Sequence, residues 1–138
     1  MTLELHATPE EVMRGVESLQ EFARAQQLPE PLVFAVALAL EECGSNVVNH
    51  ALKRDAHQTF RVAFDILDGS LFVEIRDRGP EFDPTRVADR PAAADEDVPG
   101  GWGIQLVRRH MDAVEYRREA GQNILRLTKR LPSKTGTP

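Results

Sequence analysis

The stretch from about Leu32 to Leu52 constrains this chain most. Its first half, Leu32 to Leu40, is apolar nearly all round, so a helix there needs other elements covering it on several sides. From Glu41 onward polar residues enter the same helix. Glu42, Asn46 and His50 follow one another at intervals of four, which places them on one face. An apolar stripe of Val36, Leu40, Cys43, Val47 and Ala51 runs on the adjacent face, and the polar row continues upward into Ala35 and Ala39 instead of further charges. Two readings stay open. The row lines a partly enclosed site, where Asn46 offers an oxygen to a hard cation and Glu42 accepts a proton; or these side chains cap and bond neighbouring loops. Gly44 costs this helix about 1 kcal/mol relative to Ala, which points to close approach by another element.

The flanking segments say what covers that helix. Leu3, Leu5 and Ala7 alternate with polar residues, a short strand signal. Thr8-Pro9-Glu10-Glu11 reads as a helix start, with Thr8 as cap, Pro9 at the first helical position and Glu11 completing a capping box. Val12, Val16, Leu19, Phe22 and Ala23 extend an amphipathic helix to about Gln27 before Pro29 and Pro31 punctuate the chain. Phe60, Val62, Phe64 and Ile66 alternate as a half-buried strand, Asp68-Gly69 is a hairpin signal, and Leu71, Val73 and Ile75 form the return strand. Arg78 to Gly100 shows no sustained periodicity; a loop of that length is a functional lid or disordered. Ile104, Leu106, Val107 and Met111 suit a third helix. Val114 and Tyr116 then pair across Ala120-Gly121-Gln122 with Ile124, Leu125 and Leu127. The order β-α-α-β-β-loop-α-β-β predicts an α+β fold, a two-layer α/β sandwich with antiparallel strands on one side and helices on the other.

Bulk properties narrow the function classes. With 138 residues, 41% apolar and 28% charged, the chain suits one folded domain over 1–131, followed by a disordered tail over 132–138. The net charge of −5 weighs against non-specific nucleic-acid binding. Charge is uneven: Glu81, Asp83, Asp89, Asp95, Glu96 and Asp97 make one stretch acidic, and Arg108, Arg109, Arg117, Arg118, Arg126, Lys129 and Arg130 make the end basic. That basic end either meets an acidic partner or is a solvated face. No segment has the form of a signal peptide, and the apolar run Leu32 to Leu40 is far shorter than the roughly 20 residues of a membrane span. Cys43 is the only cysteine, which excludes an internal disulfide and suits a reducing compartment. The expectation is a cytoplasmic protein with neither a membrane nor a nucleic acid as partner. Cys43 lies on the apolar stripe and reads as core, and His6, His57 and His110 lack partners at zinc-ligand spacing.

Two further segments invite chemistry. Asp77-Arg78-Gly79-Pro80-Glu81-Phe82-Asp83-Pro84 follows a strand, where a carboxylate can accept from an amino group on a ring and a glycine lets backbone come close. Equally, Asp77 could bond its own loop amides as a polar turn. Phe82 anchors the loop in either case. Gly100-Gly101-Trp102-Gly103 opens a helix, and amides free of side chains at a helix N-terminus favour phosphate. It is neither a Walker A loop nor a Rossmann turn, because no Gly-Lys-Ser/Thr follows and no strand precedes.

In order and spacing these three segments are far more specific than any one of them. Glu42-x-x-x-Asn46-x-x-x-His50-Ala51, Asp77-x-Gly79-x-x-Phe82-Asp83-Pro84 and Gly100-Gly101-x-Gly103-Ile104-x-Leu106-Val107 resemble the N, G1 and G2 boxes of the GHKL ATPases. The short length and the Phe-Asp-Pro ending are similar to the anti-sigma factor branch, the serine-protein kinases of bacterial partner switching. The resemblance runs from about residue 8 to 131 and implies a Bergerat fold, helices over a mixed, mostly antiparallel sheet. It implies ATP and Mg²⁺ as cofactors, with Asn46 coordinating the Mg²⁺ and Glu42 as general base toward a substrate serine. Asp77 would accept from the adenine amino group and Gly79 would leave room for the base. Gly101 and Gly103 would line the phosphates, with the Pro84–Gly100 loop as lid; His50, Phe82, Gly100 and Ile104 complete the motif residues assigned to the nucleotide. Implied partners are a STAS-type anti-sigma factor antagonist, a sigma factor and a second copy of the chain. Two positions depart from the pattern: Glu81 stands where a small residue is frequent, and Trp102 is bulky within the glycine turn.

Overall fold

The computed structural model describes residues 1–86 and 103–132. Strand β1 (Thr2–His6) leads to helices α1 (Pro9–Ala25) and α2 (Glu30–Asn46), and α2 passes directly into a π-helical turn (Val47–Ala51). Strands β2 (Thr59–Leu67) and β3 (Ser70–Asp77) follow, then a short 3-10 turn (Pro84–Arg86). Helix α3 (Gly103–His110) and strands β4 (Ala113–Glu119) and β5 (Gln122–Arg130) complete the described elements. The element order is the predicted one. The strands form one sheet in the order β1-β2-β3-β5-β4, and all the pairings among them are antiparallel. The mixed component expected of the sheet is thus not seen among the described residues.

Both hairpins turn on two left-handed residues, Asp68-Gly69 (φ 53° and 78°) and Ala120-Gly121 (φ 51° and 76°). Their twist matches that of the flanking strands. The register aligns the inward residues in rows: Leu3, Val62, Ile75, Leu125 and Tyr116 in one, and Leu5, Phe60, Asp77, Asn123 and Arg118 in the next. The first row is apolar apart from the Tyr116 hydroxyl. The second begins apolar and ends in the polar groups Asp77, Asn123 and Arg118.

The helices lie on that inward face. Val12, Val16 and Leu19 of α1, Val36 and Leu40 of α2, and Ile104 and Val107 of α3 share a buried cluster with Val62, Val73, Ile75 and Leu127. Thr8 caps α1, its hydroxyl accepting from the Glu11 N–H at 3.2 Å. The expected reciprocal bond is displaced: Glu11 Oε1 accepts from the His6 N–H at 3.1 Å, because the Thr8 N–H is already given to His6 O at 2.8 Å. Gly44 has the predicted purpose, since a Cβ there would sit 3.1 Å from Val12 Cγ1 of the crossing helix.

The helix expected from Leu32 to Leu52 begins earlier and does not stay α-helical. The π turn closes with the Leu52 N–H on Val47 O at 2.8 Å, and left-handed Lys53 and Arg54 end it without a glycine. The combined run, Glu30–Ala51, is 22 residues and by length and composition alone would suffice to cross a membrane. The shorter apolar stretch counted from the sequence missed this. In the fold, 67% of its most apolar window is buried against the other elements, as a core helix requires.

Candidate functional site

The lower end of α2 is where burial and polarity conflict. Glu42 is half-buried, and burial, then the neighbouring Glu41 charge, push its carboxyl above the ordinary carboxylate range. Asn46 is only 5% exposed, and its Nδ2 has no hydrogen-bond partner among the described residues. His50 Nε2 is in the same state, while its ring stacks on Phe82 with centroids 5.5 Å apart and planes 20° from parallel. An unsatisfied buried polar atom costs about 1–3 kcal/mol, so an acceptor brought into the cavity beside the Asn46 NH₂ group would recover that cost. The π turn, whose hydrogen bonds span one residue more than those of an α-helix, takes the chain out of α register before His50. Cys43 is fully buried among apolar groups, its thiol pushed up to about 12 by burial and then by Glu42, so it is core.

Across from α2, Asp77 ends β3 as the inward successor of Leu71, Val73 and Ile75, and is 5% exposed. Its Oδ1 accepts from the Gly79 N–H at 2.9 Å and from Asn123 Nδ2 at 2.9 Å. Burial raises its pKa, and these two bonds together with the Arg118 charge oppose that rise. Asn123, its cross-strand partner, also donates to Pro80 O at 2.8 Å. Its Oδ1 accepts from the Phe82 N–H at 3.1 Å, the Tyr116 hydroxyl at 2.6 Å and Arg118 Nη1 at 3.1 Å. Arg118 Nη1 reaches Gly79 O as well, at 2.8 Å. The whole start of the 78–86 segment is therefore tied to β4 and β5.

Gly79 is required by close approach. A Cβ there would lie 2.6 Å from Ala51 O at the end of the π turn and 3.0 Å from Asp77 Oδ1. Between α2 and the sheet, Asn46, Asp77, Phe82, Pro84, Tyr116 and Asn123 line, with others, a cavity of about 20 Å³. That is space for about one water. A purine is far larger than that and does not fit the cavity as it stands.

The structure thus brings Asn46, Asp77 and Phe82 to one cavity, with Glu42 one helical turn above Asn46 and Gly79 against the Asp77 carboxylate. His50 lies behind Phe82 and does not line it. Ile104 is 0% exposed and belongs to the core cluster, where it seats α3. Gly103 is the first residue of α3; Gly100, Gly101 and Trp102, with the rest of the expected lid and the tail from 133, lie outside the described residues. No cluster of acidic, His or Cys side chains able to hold a metal exists among the described residues. A divalent ion at Asn46 would draw most of its oxygens from phosphates and water, which is how Mg²⁺ is commonly held. Sequence reasoning missed Asn123, Tyr116 and Arg118 as parts of the site. The signal was there: Asn123 precedes Leu125 and Leu127 at the two-residue spacing of inward positions, a polar group ending an apolar row, as Asp77 does in β3.

Comparison with known proteins gives a consistent picture. A model of the histidine kinase-like ATPase domain matches residues 5–129. The chain is 30% identical over 129 residues to the serine/threonine-protein kinase BtrW of Bordetella bronchiseptica, covering 92% of this chain and 91% of that protein. It is 30% identical over 140 residues to the serine-protein kinase RsbW of Listeria innocua, covering 97% and 88%. Among solved structures, the RsbU and RsbW domains of a Mycobacterium tuberculosis protein superpose with TM-score 0.70 at 20% identity. That match covers 95% of this chain, which spans only 31% of the other. The SiaB–SiaC complex from Pseudomonas aeruginosa gives TM-score 0.63 at 15% identity, covering 94% of this chain and 88% of that one. At those identities the structures speak to the fold alone.

Proposed function

The chain belongs to the histidine kinase-like ATPase domain family, in the branch of the RsbW and BtrW serine-protein kinases, and from that premise we propose that it is an ATP- and Mg²⁺-dependent protein-serine kinase of bacterial partner switching. Its protein substrate is a STAS-type anti-sigma factor antagonist, and in the alternative complex it sequesters a sigma factor, working as a homodimer in the cytoplasm.

The observation that carries this reading is the pairing, on one helix, of a buried Asn46, whose NH₂ group has no partner among the described residues, with a Glu42 carboxyl of raised pKa one turn away. Bound Mg-ATP supplies a transferable phosphoryl group and the charge neutralisation that phosphoryl transfer needs. The chain's own residues do the rest. Asn46 offers its amide oxygen to the metal, and Asp77 accepts from the base amino group. Glu42 takes the proton from the substrate serine hydroxyl, and its raised pKa moves it toward the working pH where a general base is most effective. Phe82, which lines the cavity and stacks on His50 behind it, would move outward with its segment to admit the base.

One observation favours a second reading, a nucleotide-gated binding module without transfer. The cavity is closed by Phe82 and Pro84, so nucleotide entry must displace a surface segment and could thereby alter a partner's footing. Incubation with radiolabelled ATP, Mg²⁺ and each STAS-type protein of the same organism separates the two. Label on a serine of one of them supports the kinase. Mg-ATP binding with no labelled protein leaves the module, and absence of any nucleotide binding sinks both.

A further inference from the structure

We propose that Asn123 is the positioning residue for base recognition: its amide turns Asp77 so that one carboxylate oxygen is kept for a donor on the ligand, and it ties that carboxylate to the 79–82 backbone. The inference rests on the reading above, in which Asp77 meets the amino group of a purine.

The amide's orientation is forced by its neighbours. The Phe82 N–H and the Arg118 guanidinium can only donate, so the oxygen of Asn123 must face them. Its NH₂ group must then face Asp77 and Pro80 O, as it does at 2.9 and 2.8 Å. Asp77 is thereby met by two donors, Asn123 Nδ2 and the Gly79 N–H, and both fall on Oδ1. Such donors favour the ionised, acceptor-only form of a carboxylate whose pKa burial raises. Among the described residues both donors fall on Oδ1, which leaves Oδ2 for the ligand, so the site accepts a hydrogen bond and does not give one. That suits a base with an exocyclic amino group and disfavours one with a carbonyl in its place.

The same amide holds the segment that closes the cavity, through Pro80 O and the Phe82 N–H. Asn123 also accepts from the Tyr116 hydroxyl and Arg118, so three donors share the two lone pairs of one oxygen. One side chain therefore joins the base-reading carboxylate, the loop and the edge strand.

Substitutions can separate these roles. Asn123→Asp keeps an oxygen for Phe82, Tyr116 and Arg118 but removes the donor to Asp77. Asn123→Ser removes both reaches without adding charge, and Tyr116→Phe removes one loop-side donor only. Each purified full chain, checked for folding by circular dichroism, is titrated with Mg-ATP and with the Mg²⁺ complex of purine riboside triphosphate, which lacks the amino group. Wild type should prefer ATP by about tenfold or more, the worth of a hydrogen bond to a charged group. Both Asn123 variants should lose most of that preference by weakening ATP, with the analogue little changed, and Tyr116→Phe should keep it. The inference is overturned if either folded Asn123 variant keeps the preference or weakens both nucleotides equally, which is what a mere strut would do. Wild-type protein that binds neither nucleotide would instead refute the proposed function itself.

Discussion

Helices α1 and α2 are both 17 residues long, lie against each other, and are stabilised in opposite ways. Helix α1 carries its own instructions: a side-chain cap at Thr8, acidic residues in the first turn, Arg24 in the last, and one buried face from Val12 to Ala23. Helix α2 has Pro29 at its cap position with no side-chain bond, and buried residues all round. Its order comes from what surrounds it. The difference teaches where chemistry can be placed. A helix held by tertiary burial can end in a π turn with Asn46 and His50 unsatisfied, because the packed core supports that local cost. In α1 every comparable polar group has a local partner or faces solvent.

The sharpest way to break the comparison is Glu42→Gln. If the end of α2 is built for transfer, phosphorylation of a cognate antagonist should fall by about 10²–10⁴-fold while nucleotide affinity changes little. Wild-type transfer should rise with pH through the elevated Glu42 pKa, since only the carboxylate can take the proton, and the variant's residual rate should lack that limb. A quench-flow or filter assay over pH reads both.

Gly79→Ala probes the support of the π turn. Its Cβ would meet the Ala51 carbonyl at 2.6 Å, backbone that cannot rotate away, so urea unfolding should show a loss of about 1–3 kcal/mol. An unchanged midpoint would mean that the turn and the loop are not packed as described.

The smallest effect is expected on α1. The bond from Arg14 and the one from the His6 N–H lower the Glu11 pKa from 4.5 to about 2. A depressed folded-state pKa contributes stability above the ordinary value and loses it as pH falls through the folded one. Glu11→Gln should therefore cost a few tenths to about 1 kcal/mol at pH 7, as for other exposed pairs, with wild type and variant converging between pH 4.5 and 2. Acid titrations monitored by circular dichroism test this. No effect on nucleotide binding is expected.

What could be read from the sequence follows the same division. Period-two alternation and the Asp-Gly turn placed β2 to within a residue and β3 to within two, and the Thr8-Pro9 signal placed the start of α1, because local interactions decide those elements. The π turn could not be read: the spacing of Glu42, Asn46 and His50 is fully compatible with a regular α-helix, and only the backbone pairing of Leu52 N–H with Val47 O shows that it is not one. Asn46 and Asp77 stood out as polar groups interrupting apolar rows. Asn123 escaped although it interrupts its row in the same way, because its importance lies in cross-strand register, which one chain segment does not display. Ile104 was assigned to the nucleotide by motif position and turned out to be a core residue.

The buried polar end of α2 and Asp77 are proposed to form a single Mg-nucleotide site. Isothermal titration calorimetry of ATP with and without Mg²⁺, on wild type, Asn46→Ala and Asp77→Asn, tests it most directly. The account predicts ATP binding that Mg²⁺ strengthens, loss of the Mg²⁺-dependent part in Asn46→Ala, and loss of affinity with or without Mg²⁺ in Asp77→Asn. Binding that is indifferent to Mg²⁺ and to both substitutions, or no binding heat from wild type, would contradict it.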